Sequence, residues 1–168
     1  GDVDPSIGSS RASLHYAAQG HPALGVCSDV LIRSYRKLGI DLQQAVHEDM
    51  QTHFSSYPNN WGLASPDSNI DHRRVANLQA FFRRHGKQLE ISQRGDGYLP
   101  GDLVTWRLPG GLAHIGIVSR AKTMDGKTPL IVHNIGAGPK LEDTLFHYPI
   151  TGHYRFGADY HGGGRFNP

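Results

Sequence analysis

The sequence predicts an α+β domain, helices first and an antiparallel sheet after, on three observations. Between Gly25 and Gly86, outside a loop at Trp61 to Ile70, the apolar residues recur every three or four positions, the period of a helix. From Leu89 they alternate, the period of a strand. Consecutive alternating runs are separated by turn residues such as Leu99-Pro100-Gly101-Asp102 and Pro109-Gly110-Gly111, the arrangement of neighbouring strands in an α+β fold.

The first helix is expected between Gly25 and Gly39. Cys27, Val30, Leu31, Ser34, Tyr35 and Leu38 form its inward stripe. Arg33, Arg36 and Lys37 take the outer face and the last turn, where positive charge suits the helix dipole, and Gly39 stands at a left-handed C′ position. Asp41 is placed to cap a second helix with Leu42, Ala45, Val46, Met50, Phe54 and Tyr57 inward, ended by Pro58. Trp61 to Ile70 reads as a loop. Asp71 opens a third helix with Val75, Leu78, Phe81 and Phe82 inward and Gly86 as its stop, and Arg73, Arg74, Arg83 and Arg84 are read as a solvated face. Strands are expected at Leu103–Leu108, His114–Ser119, Leu130–Asn134 and Ile150–Phe156. The division is an N-terminal extension (1–24, with a short helix around Ser10 to Ala18), a domain over 25–156 carrying a helical insert at 40–86, and a glycine-rich, loosely docked tail (157–168).

Composition narrows the chemistry. A net charge of +2 in 168 residues, with histidines neutral, gives no electrostatic ground for a nucleic-acid or membrane-surface partner. No apolar run reaches the roughly 18 residues that span a bilayer. The start shows no charged-then-apolar leader, which is compatible with a leader already removed. The single cysteine, Cys27, rules out an intrachain disulfide and a four-thiolate zinc site. It falls in the first turn of the first helix, next to N–H groups that lack intrahelical partners, a position expected to lower a thiol's pKa. The plainer reading is a small buried apolar residue.

A thiol nucleophile needs an imidazole beside it and a third polar group to orient the ring. Of eleven histidines, His114 and His133 stand apart because each is embedded in an apolar strand. Alternation puts His114 on a face with Gly116 and Val118, and His133 on a face with Ile131 and Ile135. Gly116 leaves room over the sheet for a ring or a ligand.

These residues carry a resemblance. Leu99-Pro100-Gly101-Asp102-Leu103-Val104 followed by Ala113-His114-Ile115-Gly116-Ile117-Val118 resembles the central signature of the NlpC-type cysteine peptidases. Gly25-Val26-Cys27-Ser28-Asp29-Val30, Asn69 to Val75 and Val132-His133-Asn134-Ile135-Gly136-Ala137-Gly138 resemble more closely still a bacterial family known as a domain of unknown function (number twelve eighty-seven). The peptidase resemblance implies a papain-like fold and cleavage of an amide bond in cell-wall (peptidoglycan) peptides, without a cofactor, in the periplasm or outside the cell. It implies Cys27 as nucleophile, His114 as general base and His133 as the orienting group, with Asn134 the rival for that last role. Ser28, Asp29, Tyr16 and Asn134 would line the substrate or oxyanion site. Two departures stand out: the peptidases have Asp-Cys-Ser-Gly where this chain has Val26-Cys27-Ser28-Asp29, and the stretch Ile40–Gly86 is longer than theirs. Asp71 to Arg74 would build a specificity wall or brace the third helix. Rival readings are a thiol acyltransferase or deacylase on the same fold, a metal binder using Asp71 and His72, and a peptide-binding module without turnover. No metal site is expected on the first reading.

Overall fold

The computed structural model describes residues 26–58, 73–157 and 160. Tyr16, Asp71, His72, the 61–70 loop and the tail beyond Tyr160 lie outside the described residues. Three helices come first, α1 (Val26–Lys37), α2 (Leu42–Thr52) and α3 (Val75–His85). Six strands follow: β1 (Lys87–Gln88), β2 (Leu103–Arg107), β3 (Ala113–Lys122), β4 (Pro129–His133), β5 (Lys140–Glu142) and β6 (Ile150–Arg155). They form one sheet in the order β1-β6-β2-β3-β4-β5, every neighbour antiparallel. The fold is of the α+β class. None of the described helices is long and apolar enough to cross a membrane.

In α1 the inward stripe holds for Cys27, Val30, Leu31 and Tyr35, with Ile32 buried beside them. Leu38 departs from it and is 63% exposed. The helix ends at Lys37, and the chain then turns back as Leu38 and Ile40 both donate to the Tyr35 carbonyl, with Gly39 left-handed at φ 82°. Tyr35 also donates its hydroxyl to the Phe156 carbonyl at 2.7 Å, pinning the helix to the end of the sheet.

Helix α2 starts as expected, with Asp41 Oδ1 accepting from the Gln44 N–H at 3.2 Å, but it stops at Thr52 and the run to Tyr57 is a short 3₁₀ turn. Helix α3 opens at Val75 with Arg74 in the cap position, later than an Asp71 cap would place it. Buried Asp49 joins the two helices. It accepts from Arg84 Nε (2.7 Å), Arg84 Nη2 (3.1 Å) and Tyr57 Oη, with His85 Nε2 at 2.9 Å. Burial alone would raise the Asp49 pKa, but the hydrogen bonds from Arg84, Tyr57 and His85 hold it well below the carboxylate range. Arg84 is therefore an ion-pair partner and not part of a solvated face.

The sheet has two apolar faces. Leu103, Ile115 and Tyr154 pack against the helices, in one cluster with Leu31, Leu42, Met50, Leu78, Phe81 and Phe82. The described residues of the 40–86 stretch thus share the core of the sheet. On the other face Val104, Trp106, Val118 and Ile131 pack with Tyr98 and Leu145, and Trp106 Nε1 donates to the Leu145 carbonyl at 2.8 Å. The β2–β3 register sets Trp106 opposite His114 and Val104 opposite Gly116, so the histidine falls on this second face. A Cβ on Gly116 would lie 2.8 Å from Ile131 Cγ2, 3.1 Å from His133 Cβ and 3.1 Å from Trp106 Cζ3. Only glycine lets both neighbouring strands lean their side chains over β3 at that point.

Candidate active site

The thiol is delivered by the start of α1. Val118 donates its N–H to Asp102 on the β2 side. By alternation Ile115 and Ile117 therefore point theirs to the β4 side. The paired register of β3 with β4 begins at Ile117↔Val132, which leaves the Ile115 N–H beyond the end of the ladder. That N–H donates toward the Cys27 sulfur, together with the N–H groups of Cys27 and Ser28 at the helix start. Cys27 is thus held at the β4-side edge of β3, one residue from His114.

The two histidines meet across the strands. His114 Nε2 lies 2.8 Å from His133 Nδ1, with the rings edge to face at 5.1 Å between centroids. His133 Nε2 in turn donates to Glu142 Oε1 at 2.9 Å. Trp106 lies beside His114, ring centroids 5.6 Å apart and tilted by 32°. Since His114 Nε2 is taken by His133, Nδ1 is the nitrogen left for other chemistry. Among the described residues no hydrogen bond joins the thiol to that ring.

Asn134, the neighbour of His133, faces elsewhere. Its Oδ1 accepts the N–H of Gly136 (2.8 Å) and of Gly138 (3.2 Å), closing the loop that leads to β5, and its buried Nδ2 has no partner among the described residues. Ser28 is fully buried and Asp29 half-buried, both in the first turn of α1. Glu142 escaped the sequence reading. Its signal is slight, a three-residue strand whose Leu141 sits opposite Val132, and only that register brings the carboxylate within reach of His133.

The chain matches, over residues 10–156, the family described as "Domain of unknown function (DUF1287)". It belongs to that family. It is 55% identical over 132 residues to "Uncharacterized protein YijF" of Escherichia coli (strain K12), a match that takes in 79% of this chain and 64% of that protein. The chain therefore spans less than two thirds of that relative's length. No solved structure matches it. Cys27, His114, His133, Asn134 and Glu142 all fall inside the region matched by the DUF1287 family.

The protonation state of this DUF1287 chain's thiol departs from expectation. Burial pushes the Cys27 pKa up to about 11; the N–H groups of Ile115, Cys27 and Ser28 pull it down but do not offset desolvation, and the Asp29 carboxylate adds to the rise. A helix start lowers a thiol's pKa where solvent or a cation shares the site, and here Cys27 is only 7% exposed in an apolar cluster. Burial, with His133 alongside, likewise lowers the His114 pKa to about 4. At neutral pH the resting pair is a thiol and a neutral imidazole. Alkylation of Cys27 by iodoacetamide should accordingly run roughly two hundred-fold slower at pH 8 than for an ordinary thiol of pKa about 8.5, and climb about tenfold per pH unit toward 11. A rate plateau already reached below pH 8 would show a preformed thiolate and overturn this account.

Among the described residues, two cavities lie away from the thiol. The larger, about 840 Å³, sits at the far end of α1, about 15 Å up the helix by its rise of about 1.5 Å per residue. Tyr35, Ile117 and Phe156 form its apolar wall, and Lys37, Lys87 and Arg155 bring positive charge to it. The other, about 750 Å³, lies around Tyr98 and Lys127. Among the described residues no group of three or more His, Cys, Asp or Glu side chains is placed to hold a metal ion.

Proposed function

We propose that the chain is a cysteine hydrolase of the papain-like, NlpC-type kind, cleaving an amide bond in bacterial cell-wall peptides, and that it works in the periplasm or outside the cell. The observation that carries the reading is the hydrogen-bonded run from Glu142 through His133 to His114, whose last member is one residue from Ile115, the strand residue whose N–H reaches Cys27. Nucleophile, base and orienting group follow the order that the sequence resemblance implies.

In this reading Cys27 attacks the carbonyl carbon while His114 Nδ1 takes up the thiol proton. The thiol and imidazole are neutral at rest, so proton transfer accompanies attack and no standing ion pair precedes it. N–H groups at the start of α1 receive the developing oxyanion, as donors that need no reorganisation when charge appears. His114 then gives its proton to the leaving amine, and water releases the acyl group from sulfur. His133 holds the His114 ring throughout. Mass spectrometry of purified wall fragments incubated with the protein should show new amine and carboxyl termini that are absent with Cys27→Ala. Fragments left intact, or casein digested as readily, would sink the proposal.

The larger cavity favours one alternative, a module that binds an acidic peptide without consuming it. Its wall is apolar, its cations have among the described residues no acid of their own beyond the Asp102–Arg155 pair, and it stands apart from the thiol. Binding of wall fragments by Cys27→Ala with the same affinity as by the parent, and no turnover by either, would select this reading.

A further inference from the structure

We propose that Glu142 is a positioning residue that sets the tautomers of two rings in series, His133 directly and His114 through it, so that His114 Nδ1 carries a free lone pair. The argument is an inventory of donors and acceptors. A carboxylate only accepts, so the 2.9 Å contact between Glu142 Oε1 and His133 Nε2 places a hydrogen on that nitrogen. In a neutral His133 the other nitrogen, Nδ1, is then an acceptor. The 2.8 Å contact from Nδ1 to His114 Nε2 can be made only if His114 Nε2 carries the hydrogen. A neutral His114 therefore has its lone pair at Nδ1.

Without an acceptor at His133 Nε2, the opposite arrangement is equally well hydrogen-bonded. His133 would donate from Nδ1, His114 would accept at Nε2, and His114 Nδ1 would carry a hydrogen and be unable to take up another. The two rings can satisfy each other in either direction; only the carboxylate on β5 chooses one. Glu142 is 44% exposed while both rings are buried, so the choice is made from the solvent edge of the site. Once His114 is protonated, its Nε2 still donates to His133 and no ring has to turn.

The use of this order in catalysis rests on the hydrolase reading above, but the order itself does not, and the test separates them. With ¹⁵N-labelled histidine, NMR of the parent should show both rings as the Nε2–H tautomer. In Glu142→Gln, whose amide can present N–H to His133, both rings should populate the Nδ1–H tautomer together, with a His114→Ala spectrum assigning the signals. On a cleaved peptide, kcat should fall about 10- to 100-fold with KM unchanged, the range met when an outer hydrogen bond that orients a ring is lost. A folded Glu142→Gln with unaltered tautomers, or a parent with Nδ1–H rings, overturns the inference. Tautomers that respond in a protein that cleaves nothing uphold the Glu142 assignment and count only against the hydrolase.

Discussion

In the proposed hydrolase, His133→Ala should lower kcat on a wall peptide by about 10²- to 10⁴-fold, the range met when one member of a catalytic triad is removed. Asn134→Ala should cost less than about tenfold, or about 1.4 kcal/mol of barrier. Both side chains are 1% exposed and adjacent, so burial does not separate them. Partners do. His133 bridges His114 and Glu142, whereas the Asn134 oxygen is committed to the N–H groups of Gly136 and Gly138. Loss of His133 frees the His114 ring to turn and to change tautomer, while the thiol and the helix-start donors stay in place, so residual activity above that of Cys27→Ala is expected. Loss of Asn134 loosens the turn into β5 and acts on stability, to be read separately by urea unfolding. The reverse ranking, in two variants with parental unfolding midpoints, would move the orienting role to Asn134.

The pairing of His114 with His133 was legible because a strand has a period of two: one histidine lies two residues before Gly116 on its own apolar strand and the other on the next strand, and such a pair shares one face or none. Cys27 was legible as the first turn of an amphipathic helix. Its ionisation was not, because a thiol's pKa depends on how much water the tertiary packing leaves, and the sulfur ends between α1 and the edge of β3. Glu142 was illegible for a related reason. A three-residue exposed strand has no periodicity to read, and β5 exists only because β4 offers it an edge. Asp49 shows the same limit: on the sequence it is one polar residue of α2, and Arg84 of α3, 35 positions later, makes it the centre of an ion cluster. Leu38 fails in the opposite direction, since the helical period continues one residue past the end of the helix.

Asp102→Ala should destabilise the fold by about 3–5 kcal/mol, the cost of breaking a buried ion pair by removing one partner. Asp102 is 1% exposed and four donors converge on it. His153 Nε2 lies at 2.6 Å, Arg155 Nε at 2.7 Å and Arg155 Nη2 at 2.9 Å, and the Leu99 N–H closes the turn at 3.0 Å. The turn itself rests on Gly101 at φ 90°, and the β2–β6 register brings His153 and Arg155 to the carboxylate. Arg155 is 41% exposed and can turn to water when its partner goes. His153 cannot: it is 2% exposed, stacked on Tyr98 at 4.3 Å, with its other nitrogen 3.1 Å from the Glu90 carbonyl. The loss therefore falls on a buried ring left facing an empty site. Burial would raise the Asp102 pKa, but the hydrogen bonds from His153, Arg155 and Leu99 lower it below the ordinary value of about 3.9. A carboxyl with a depressed folded-state pKa binds fewer protons folded than unfolded, so its contribution is fully present above the unfolded pKa and is lost as pH falls through the folded one. The difference between parent and Asp102→Ala in urea unfolding should hold steady above about pH 5 and narrow below about pH 4. Asp96→Ala, which breaks the exposed Arg94–Asp96 pair, should leave the midpoint in place. A loss of less than about 1 kcal/mol for Asp102→Ala would put that pair in the class of surface ion pairs. A difference unchanged down to pH 2 would remove the carboxylate's charge from the explanation.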